Sequence, residues 1–324
     1  MLTIAIPTYN RAIFLKECLS CLYKEYENLP GEYKKIIKIY VSDNCSQDST
    51  HEIISEYSNK LWSFSSVSNS ENIGAEKNIA RCYLNAAGEH VWILGDDDVI
   101  LPGGLTLIID VLKNHSPDIV YLNNYGFEKN YLNTPKKFSS NKILLYSDAI
   151  KFTKKVNISL TFISAIIVKK IPNYCWNISD TIGGNLIGLA WTLPPIKFGK
   201  LFIVMERWVI AARANNTGGY KLANVFGGNL KELTNKILWD KLRIAEIIQN
   251  SSLIYLFPFY LSQNRFSPYT LIDESTPNHL KSEFRGNWRY YFFVMPFFKL
   301  PKIFIKPYYI FIKICRKILR GFLL

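Results

Sequence analysis

The first hundred residues alternate short β-branched apolar runs with helical patterns, and this alternation limits the fold more than any other feature of the chain. Strands are predicted at 2–6, 36–41, 64–67 and 91–94, and helices from residue 11 onward, over 51–57 and over 75–87. Pro7 ends the first predicted strand, and Asn10 is placed to cap the helix that follows. The alternation predicts an α/β fold with a doubly wound, mostly parallel sheet flanked by helices.

Polar loops follow three of the predicted strands, and parallel strands bring such loops to one edge of a sheet. The loops cover 7–11, 42–48 and 95–98, and the last contains Asp96, Asp97 and Asp98. Consecutive carboxylates beside a buried strand repel one another unless a cation or hydrogen-bond donors offset their charge. A divalent ion, Mg²⁺ or Mn²⁺, completed by a nucleotide diphosphate meets that need. A solvated turn that caps the next helix is the alternative.

Several classes of protein are disfavoured by the sequence. It contains no Gly-x-x-x-x-Gly-Lys-Ser/Thr loop and no Gly-x-Gly-x-x-Gly after the first strand, which argues against P-loop enzymes and dinucleotide dehydrogenases. The six cysteines are unevenly spaced, and the opening residues do not resemble a signal peptide. We therefore expect free thiols and a cytoplasmic protein.

Four motifs, in order and spacing, resemble the nucleotide-binding half of GT-A family 2 glycosyltransferases. They lie at 4–11, 41–50, 72–74 and 87–98, and the resemblance covers roughly residues 2–125. The subgroup that the chain resembles builds bacterial surface polysaccharides and includes sugar transferases of O-antigen repeat units, such as abequosyltransferases. The resemblance implies a GT-A fold, a nucleotide-sugar donor and a divalent metal.

The resemblance also implies roles for individual residues. Those expected at the nucleotide are Pro7, Tyr9, Arg11, Asp43, Lys77, Asp96 and Asp97. Asp43 would accept a hydrogen bond from the base, and Lys77 stands where the family often has arginine. Asp98 is the favoured metal ligand, with Asp97 second.

Sugar transfer also needs a carboxylate base, which deprotonates the incoming hydroxyl on the face opposite the leaving diphosphate and so gives inversion. The candidates in the second half of the chain are Glu128, Asp148, Asp180 and Glu206. We favour Asp180, which lies in a polar, glycine-containing stretch; a helix cap before Thr181 is its alternative. Glu206 could instead pair with Arg207 or Arg213, and Arg213 could meet either a diphosphate or a carboxylate.

Basic charge is concentrated at the carboxyl end. The chain has 39 lysine and arginine residues against 26 acidic ones, and nine of the basic residues but no acid follow residue 283. Aromatic and aliphatic clusters broken by single cations predict a basic amphipathic helical extension on an anionic membrane surface. The aromatics come in blocks with leucine and isoleucine, which disfavours nucleic-acid binding. A helix that merely packs on the catalytic domain is the remaining alternative.

Three regions are therefore expected: a nucleotide-sugar-binding half over 1–125, an acceptor-binding half over 126–230 and a membrane-associating helical region over 231–324. Within the last two, the sequence suggests a surface loop at 129–150, a pair of core strands at 156–168 and a bent pair of helices at 247–264.

The expected activity is metal-dependent, inverting transfer of a sugar from a nucleotide-diphosphate sugar to a polyprenyl-diphosphate-linked oligosaccharide. We expect the protein to be peripheral on the cytoplasmic face of the bacterial inner membrane. A sugar nucleotidyltransferase and a non-catalytic nucleotide-sugar-binding protein are the alternatives.

Overall fold

The computed structural model describes residues 1–61, 63–135, 140–171, 178–214, 220–267, 271–319 and 322–324, without the side chains of Ser179 and Asp180. The strands are β1 (Leu2–Thr8), β2 (Ile37–Asp43), β3 (Phe64–Ser68), β4 (His90–Ile93), β5 (Val99–Ile100), β6 (Ile119–Phe127), β7 (Ile143–Tyr146), β8 (Ile166–Lys169) and β9 (Phe202–Arg213). In this described part of the chain all nine strands join one sheet in the order β3-β2-β1-β4-β8-β6-β9-β5, with β7 also paired to β9.

The sheet is parallel from β3 through β4, as the alternation predicts. Beyond β4 it is mixed, because β8 runs antiparallel to both β4 and β6, while β9 returns parallel to β6. Pro7 does not end β1, which continues to Thr8 and stays in register with β2. Pairing of β1 with β4 stops at Ala5, so Pro7 lies beyond that ladder, where its missing N–H is tolerated.

Helices cover both faces of the sheet. They are α1 (Ala12–Glu27), α2 (Gly31–Lys34), α3 (Thr50–Ser58), α4 (Ala75–Asn85), α5 (Gly104–His115), α6 (Ala149–Val156), α7 (Leu189–Phe198), α8 (Leu230–Ile237), α9 (Leu242–Ser251), α10 (Phe257–Asn264), α11 (Thr276–Glu283), α12 (Pro296–Lys299) and α13 (Lys302–Ile318). Helix α1 begins after Arg11, and Asn10 does not cap it. Instead Asn10 has a φ of 51°, and its Oδ1 accepts a hydrogen bond from the backbone N–H of Gln47.

Two of the expectations for the second half were wrong. The run at 156–168 is not a strand pair, because two short 3₁₀ turns, Asn157–Thr161 and Ile163–Ala165, precede the single strand β8. The stretch at 129–150 is not only a loop, since it contains β7 and the start of α6. The stretch at 247–264 is a bent helical pair, α9 and α10, joined by the π-helical segment Ser252–Leu256.

Hydrophobic cores lie on the two faces of the sheet. One packs β1 and β2 against α1, α3 and α5. The other packs the opposite face against α4, α6 and α7, and it continues through the carboxy-terminal helices to Leu324. The extension from α11 onward therefore rests on the same core as the sheet, while the boundaries at 125 and 230 stay predictions. No helix in the described residues is long and apolar enough to cross a bilayer.

A buried carboxylate joins α1 to the start of α5. The Glu25 side chain accepts hydrogen bonds from the backbone N–H groups of Gly103 at 3.0 Å and Leu105 at 3.1 Å. These groups belong to the first turn of α5, where no earlier carbonyl is available to accept from them. Glu25 thus caps α5 from another helix and fixes the strand-to-helix connection that follows the acidic loop at 95–98.

We expect Glu25→Ala to lower the free energy of unfolding by about 2–3 kcal/mol, because it leaves two N–H groups of α5 without an acceptor. Urea denaturation followed by circular dichroism measures the change. Glu27→Ala is the matched control on the same helix: its half-exposed carboxylate lies 3.6 Å from the Lys34 amine, and we expect a change within about 0.5 kcal/mol. Equal effects of the two substitutions would contradict the capping role.

Candidate functional site

The acidic loop is a tight turn at the carboxyl end of β4. The backbone N–H of Asp98 donates to the carbonyl of Gly95 at 3.1 Å, and the N–H of Gly95 donates to the Ser164 hydroxyl at 2.9 Å. A Cβ at position 95 would lie 3.0 Å from an Asp98 carboxylate oxygen and 3.2 Å from one of Asp97. Any larger residue at this position would therefore displace these carboxylates from where they fold back over the turn.

Asp96 is the carboxylate held most firmly by the protein. It accepts hydrogen bonds from the Thr8 hydroxyl at 2.8 Å and forms an ion pair with Arg11 at 2.9 Å. Only 3% of its surface is exposed. Burial raises the pKa of Asp96 to about 7, an effect that the Arg11 guanidinium opposes and the neighbouring Asp97 reinforces. Asp96 thereby fixes the position of Arg11.

Asp98 is buried on the other side of the turn. One of its oxygens accepts from the backbone N–H of Arg213 at 3.1 Å. Burial raises the pKa of Asp98 to about 7, with repulsion from Asp97 adding to the shift and the Ser164 hydroxyl reducing it. Asp97 lies between the two and contacts the second nitrogen of the Arg11 guanidinium. Its carboxylate is the most exposed of the three.

Two arginines flank one aromatic ring beside the turn. The guanidinium carbons of Arg11 and Arg213 each lie 5.1 Å from the centroid of Phe14. The Arg213 guanidinium also forms an ion pair with Glu17. Of the two alternatives for this arginine, the ion pair with a carboxylate is present, and contact with a diphosphate stays a prediction.

A cavity of about 600 Å³ opens above the acidic turn. Six of the residues predicted at the nucleotide or the metal line it, namely Pro7, Tyr9, Arg11, Asp96, Asp97 and Asp98. Tyr9 keeps 40% of its surface exposed, so its ring is available to a ligand. Phe162, Ile163 and Ser164, at the 3₁₀ turn before β8, line one side of the cavity. The ends of β1 and β4 thus meet as the strand order requires.

Two predicted nucleotide residues lie outside the lining of this cavity. Asp43 is buried at the end of β2, where its carboxylate accepts from the N–H and hydroxyl of Ser46 and from the hydroxyl of Ser68 at 3.1 Å. Lys77 lies on the first turn of α4 and lines a different cavity. Their proposed contacts with base and phosphate stay predictions.

The favoured base is on a short 3₁₀ turn, Ile178–Thr181. The side chain of Asp180 falls outside the described residues. The chain directly after the turn is attached to α4, because the backbone N–H of Gly183 donates to a carboxylate oxygen of Glu76 at 2.5 Å. This bond keeps the turn close to the helix whose start borders the cavity.

The rival base candidates are occupied or exposed. Glu206 forms an ion pair with Lys155 at 2.8 Å, so pairing with Arg207 or Arg213 was the wrong expectation. Asp148 caps α6 by accepting from two backbone N–H groups of its first turn. The Glu128 residue is exposed. These placements disfavour the three rival carboxylates as the base, and the role of Asp180 stays a prediction.

Sequence reasoning missed the buried amides that shape the loops. Asn44 accepts hydrogen bonds from Asn69 at 2.8 Å and from the N–H of Ile73 at 3.0 Å, and it donates to Asn72 at 2.7 Å. Asn78 is also buried and bonds to Ser42. Asn44 and Asn72 lie inside the family motifs at 41–50 and 72–74, which was the available signal, whereas Asn78 lies beyond the second motif. Ser164 was missed because it lies in an apolar run.

The residues present fit a divalent cation that completes its ligand set with phosphate and water. In the described part of the chain no three His, Cys, Asp or Glu side chains converge into a closed metal cage. Magnesium commonly uses only one or two carboxylates, and Asp98 and Asp97 offer them at the cavity. Burial and repulsion from Asp97 raise the pKa of Asp98, and a cation bound beside it would stabilise its charged form.

Comparisons with known proteins agree with this geometry. The model of the family "Glycosyl transferase family 2" matches residues 3–171, more than half of the chain. Abequosyltransferase RfbV of Salmonella typhimurium is 32% identical over 118 residues, which are 36% of this chain and 34% of that protein. Poly(ribitol-phosphate) β-N-acetylglucosaminyltransferase TarS of Staphylococcus aureus is 30% identical over 126 residues, 38% of this chain and 21% of that protein. The matches thus span about a third or less of these relatives.

Solved structures show the same fold over nearly the whole chain. Residues 1–349 of Staphylococcus aureus TarS in complex with UDP-GlcNAc superpose with a TM-score of 0.60 at 16% identity, covering 96% of this chain and 88% of that one. The mannosyltransferase PcManGT of Pyrobaculum calidifontis, in complex with GDP-Man and Mn²⁺, gives a TM-score of 0.51 at 14% identity, covering 97% and 86%. The GT-A fold is thereby confirmed. The chain belongs to glycosyl transferase family 2 and is a glycosyltransferase.

Proposed function

We propose that this enzyme transfers a sugar from a nucleotide-diphosphate sugar to an oligosaccharide carried on polyprenyl diphosphate, in the synthesis of a bacterial surface polysaccharide such as O-antigen. The cavity above the acidic turn carries the proposal, because it combines carboxylates for a metal with Arg11 and an exposed Tyr9. The abequosyltransferase relative supports the O-antigen context. Family membership favours transfer over nucleotidyl transfer and over binding without catalysis.

The chemistry of donor cleavage explains the arrangement of charge. Negative charge develops on the leaving diphosphate, and a divalent cation held by Asp98 and Asp97 would stabilise it as a Lewis acid. Asp96 would contact the ribose while it keeps Arg11 in place through their ion pair. Arg11 already balances Asp96 and Asp97, so it prevents the acidic turn from repelling the donor.

We expect transfer to require Mg²⁺ or Mn²⁺ and to fall by a factor of about 10²–10³ in Asp98→Asn and in Asp97→Asn, because charge stabilisation at the leaving group is lost. A thermal-shift panel of UDP-, GDP-, CDP- and dTDP-sugars with and without Mn²⁺ first identifies the donor. Hydrolysis and transfer of that donor are then measured. The control is Asp240→Asn, a surface carboxylate paired with Lys197. Wild-type transfer by both turn variants would overturn the metal assignment.

We propose further that Asp180 is the base and that transfer inverts the anomeric carbon. It would take the proton of the acceptor hydroxyl while that oxygen attacks from the face opposite the diphosphate. The support is its place in a turn kept close to α4 and the occupation or exposure of its rivals.

We expect Asp180→Asn to lower the transfer rate by about 10²–10⁴-fold while leaving the thermal shift induced by donor unchanged, because the amide cannot accept the proton. Glu206→Gln serves as the comparison, and we expect its transfer rate to stay within about threefold of wild type, since its carboxylate is paired with Lys155. The anomeric configuration of the product, read by NMR, tests inversion. Full activity of Asp180→Asn would exclude it as the base.

We also propose that α13 holds the enzyme on the cytoplasmic face of the inner membrane. One side of α13 is anchored in the core by Ile305 and Ile312. The other side exposes large apolar residues, Ile303, Phe304, Ile310, Phe311, Ile314 and Ile318. Exposed lysines lie among them, at 302, 306, 313 and 317. Apolar residues framed by cations suit an anionic bilayer surface.

We expect the full chain to co-sediment with phosphatidylglycerol vesicles at low salt, and the double variant Phe311→Glu/Ile314→Glu to bind at least about tenfold more weakly. Immersing an apolar side chain contributes about 1.5–3 kcal/mol, and each added carboxylate is repelled by the lipid. Leu132→Glu, which changes a similarly exposed leucine elsewhere, should bind as wild type does. Equal sedimentation of all three proteins would reject α13 as the contact.

A further inference from the structure

A second cavity, of about 690 Å³, lies between α4 and α7. Four cationic side chains line it, Lys77, Arg81, Lys169 and Lys170, and the described lining residues include no carboxylate. The remaining wall is largely apolar and comes from α4, from α7 and from Ile178 and Ile182. Cations beside an apolar wall are the features that recognise an amphiphilic anion.

The cations of this cavity are only partly compensated by the protein. Lys169 pairs with Glu89 at 2.9 Å. In the described part of the chain, no carboxylate pairs with Lys77, Arg81 or Lys170. The Lys170 amine is half-buried, donates to the carbonyl of Ala86 at 2.5 Å and lies 5.3 Å from the Tyr83 ring centroid. Burial lowers the pKa of Lys170, so a bound anion would stabilise its charged form.

The apolar wall is preformed. The rings of Tyr83 and Trp191 stack with centroids 4.8 Å apart and planes 9° apart. Leu84 borders the same space and keeps 62% of its surface exposed, so its side chain is accessible to a ligand in the cavity. Tyr83, backed by the buried Trp191, and the exposed Leu84 offer an apolar surface for a hydrocarbon chain.

We propose that this cavity binds the isoprenyl diphosphate part of the acceptor, with the cations on the diphosphate and the Tyr83–Trp191 wall on the first isoprene units. The inference rests on the proposed lipid-linked acceptor and adds its binding site. Helix α4 supports the placement, because Asn78 and Ile79 line the donor cavity while Ala80 and Arg81 line this one. Donor and lipid carrier then bind on two faces of one helix, and the turn that contains Asp180 borders the carrier.

Isothermal titration of the full chain tests the site with three probes: farnesyl diphosphate, farnesol and inorganic pyrophosphate. We expect farnesyl diphosphate to bind at least about tenfold more tightly than either fragment, and to bind equally well with saturating UDP present. Equal affinity for pyrophosphate and farnesyl diphosphate would overturn the role of the apolar wall. Displacement by UDP would place the binding in the donor cavity and overturn the proposal.

Opposite charges at one exposed position test anion recognition. We expect Leu84→Glu to weaken farnesyl diphosphate binding about tenfold or more, and Leu84→Lys to retain or strengthen it, since only the charge sign differs. Leu242→Glu, a similarly exposed leucine on α9, is the control. Equal weakening by both Leu84 variants would reject the diphosphate, and no change in either would reject the cavity.

Metal-dependent hydrolysis of the donor is measured on the same wild-type preparation. Hydrolysis without farnesyl diphosphate binding overturns the carrier site alone. Absence of donor hydrolysis, even in the presence of an acceptor, counts against the proposed transferase activity instead.

Discussion

The balance of charge at the turn after β4 governs the organisation of the site. Two nearly buried carboxylates, Asp96 and Asp98, are held beside Asp97, and burial together with mutual repulsion raises the pKa of each buried group to about 7. At Asp96 the hydrogen bond from Thr8 and the ion pair with Arg11 offset this unfavourable free energy. On the other side of the turn the protein offers Asp98 mainly neutral donors. The negative charge of the turn is therefore compensated by the protein at Asp96, whereas at Asp98 the proposed cation would compensate it.

This constraint explains why distant strands must meet there. Thr8 comes from the end of β1, the turn from the end of β4, and the Arg213 N–H from the end of β9. Ser164 reaches Gly95 from the 3₁₀ turn before β8. A carboxylate at this position keeps its donors only while the sheet holds these four segments in register. The electrostatics of the site therefore depend on the stability of the sheet.

Local sequence patterns predicted the part of this site that comes from the first hundred residues. Alternating strands and helices placed the loops at 7–11 and 95–98 on one sheet edge, and the structure puts Arg11 against Asp96 there. The contribution of Ser164 and Arg213 could not be predicted, because it depends on β8 and β9 pairing across the sheet, far along the chain. The apolar run at 156–168 gives no sequence signal that it contains two 3₁₀ turns or that the Ser164 hydroxyl contacts Gly95.

Helix faces set a second limit on prediction. Successive residues of an α-helix point about 100° apart, so the start of α4 fixes which of Lys77 and Asn78 lines the cavity above the acidic turn. The motif at 72–74 located the helix, but the precise first turn decides the face, and Asn78 took the inner position. Lys77 consequently borders the second cavity. A shift of one residue along α4 therefore decides which of the two cavities a side chain lines.

The same reasoning about faces applies to the carboxy-terminal extension. Amphipathic patterning predicted a helix with one apolar side, yet α13 has apolar residues on both, with Ile305 and Ile312 two turns apart in the core. Because this inner stripe is already packed and Tyr308 donates to the carbonyl of Phe292, the outer side is presented by an ordered helix. Binding lipid then orders little additional chain. Under the proposed membrane attachment and lipid-linked acceptor, confinement to one surface would raise the local concentration of acceptor, so a modest affinity for each molecule would suffice for transfer.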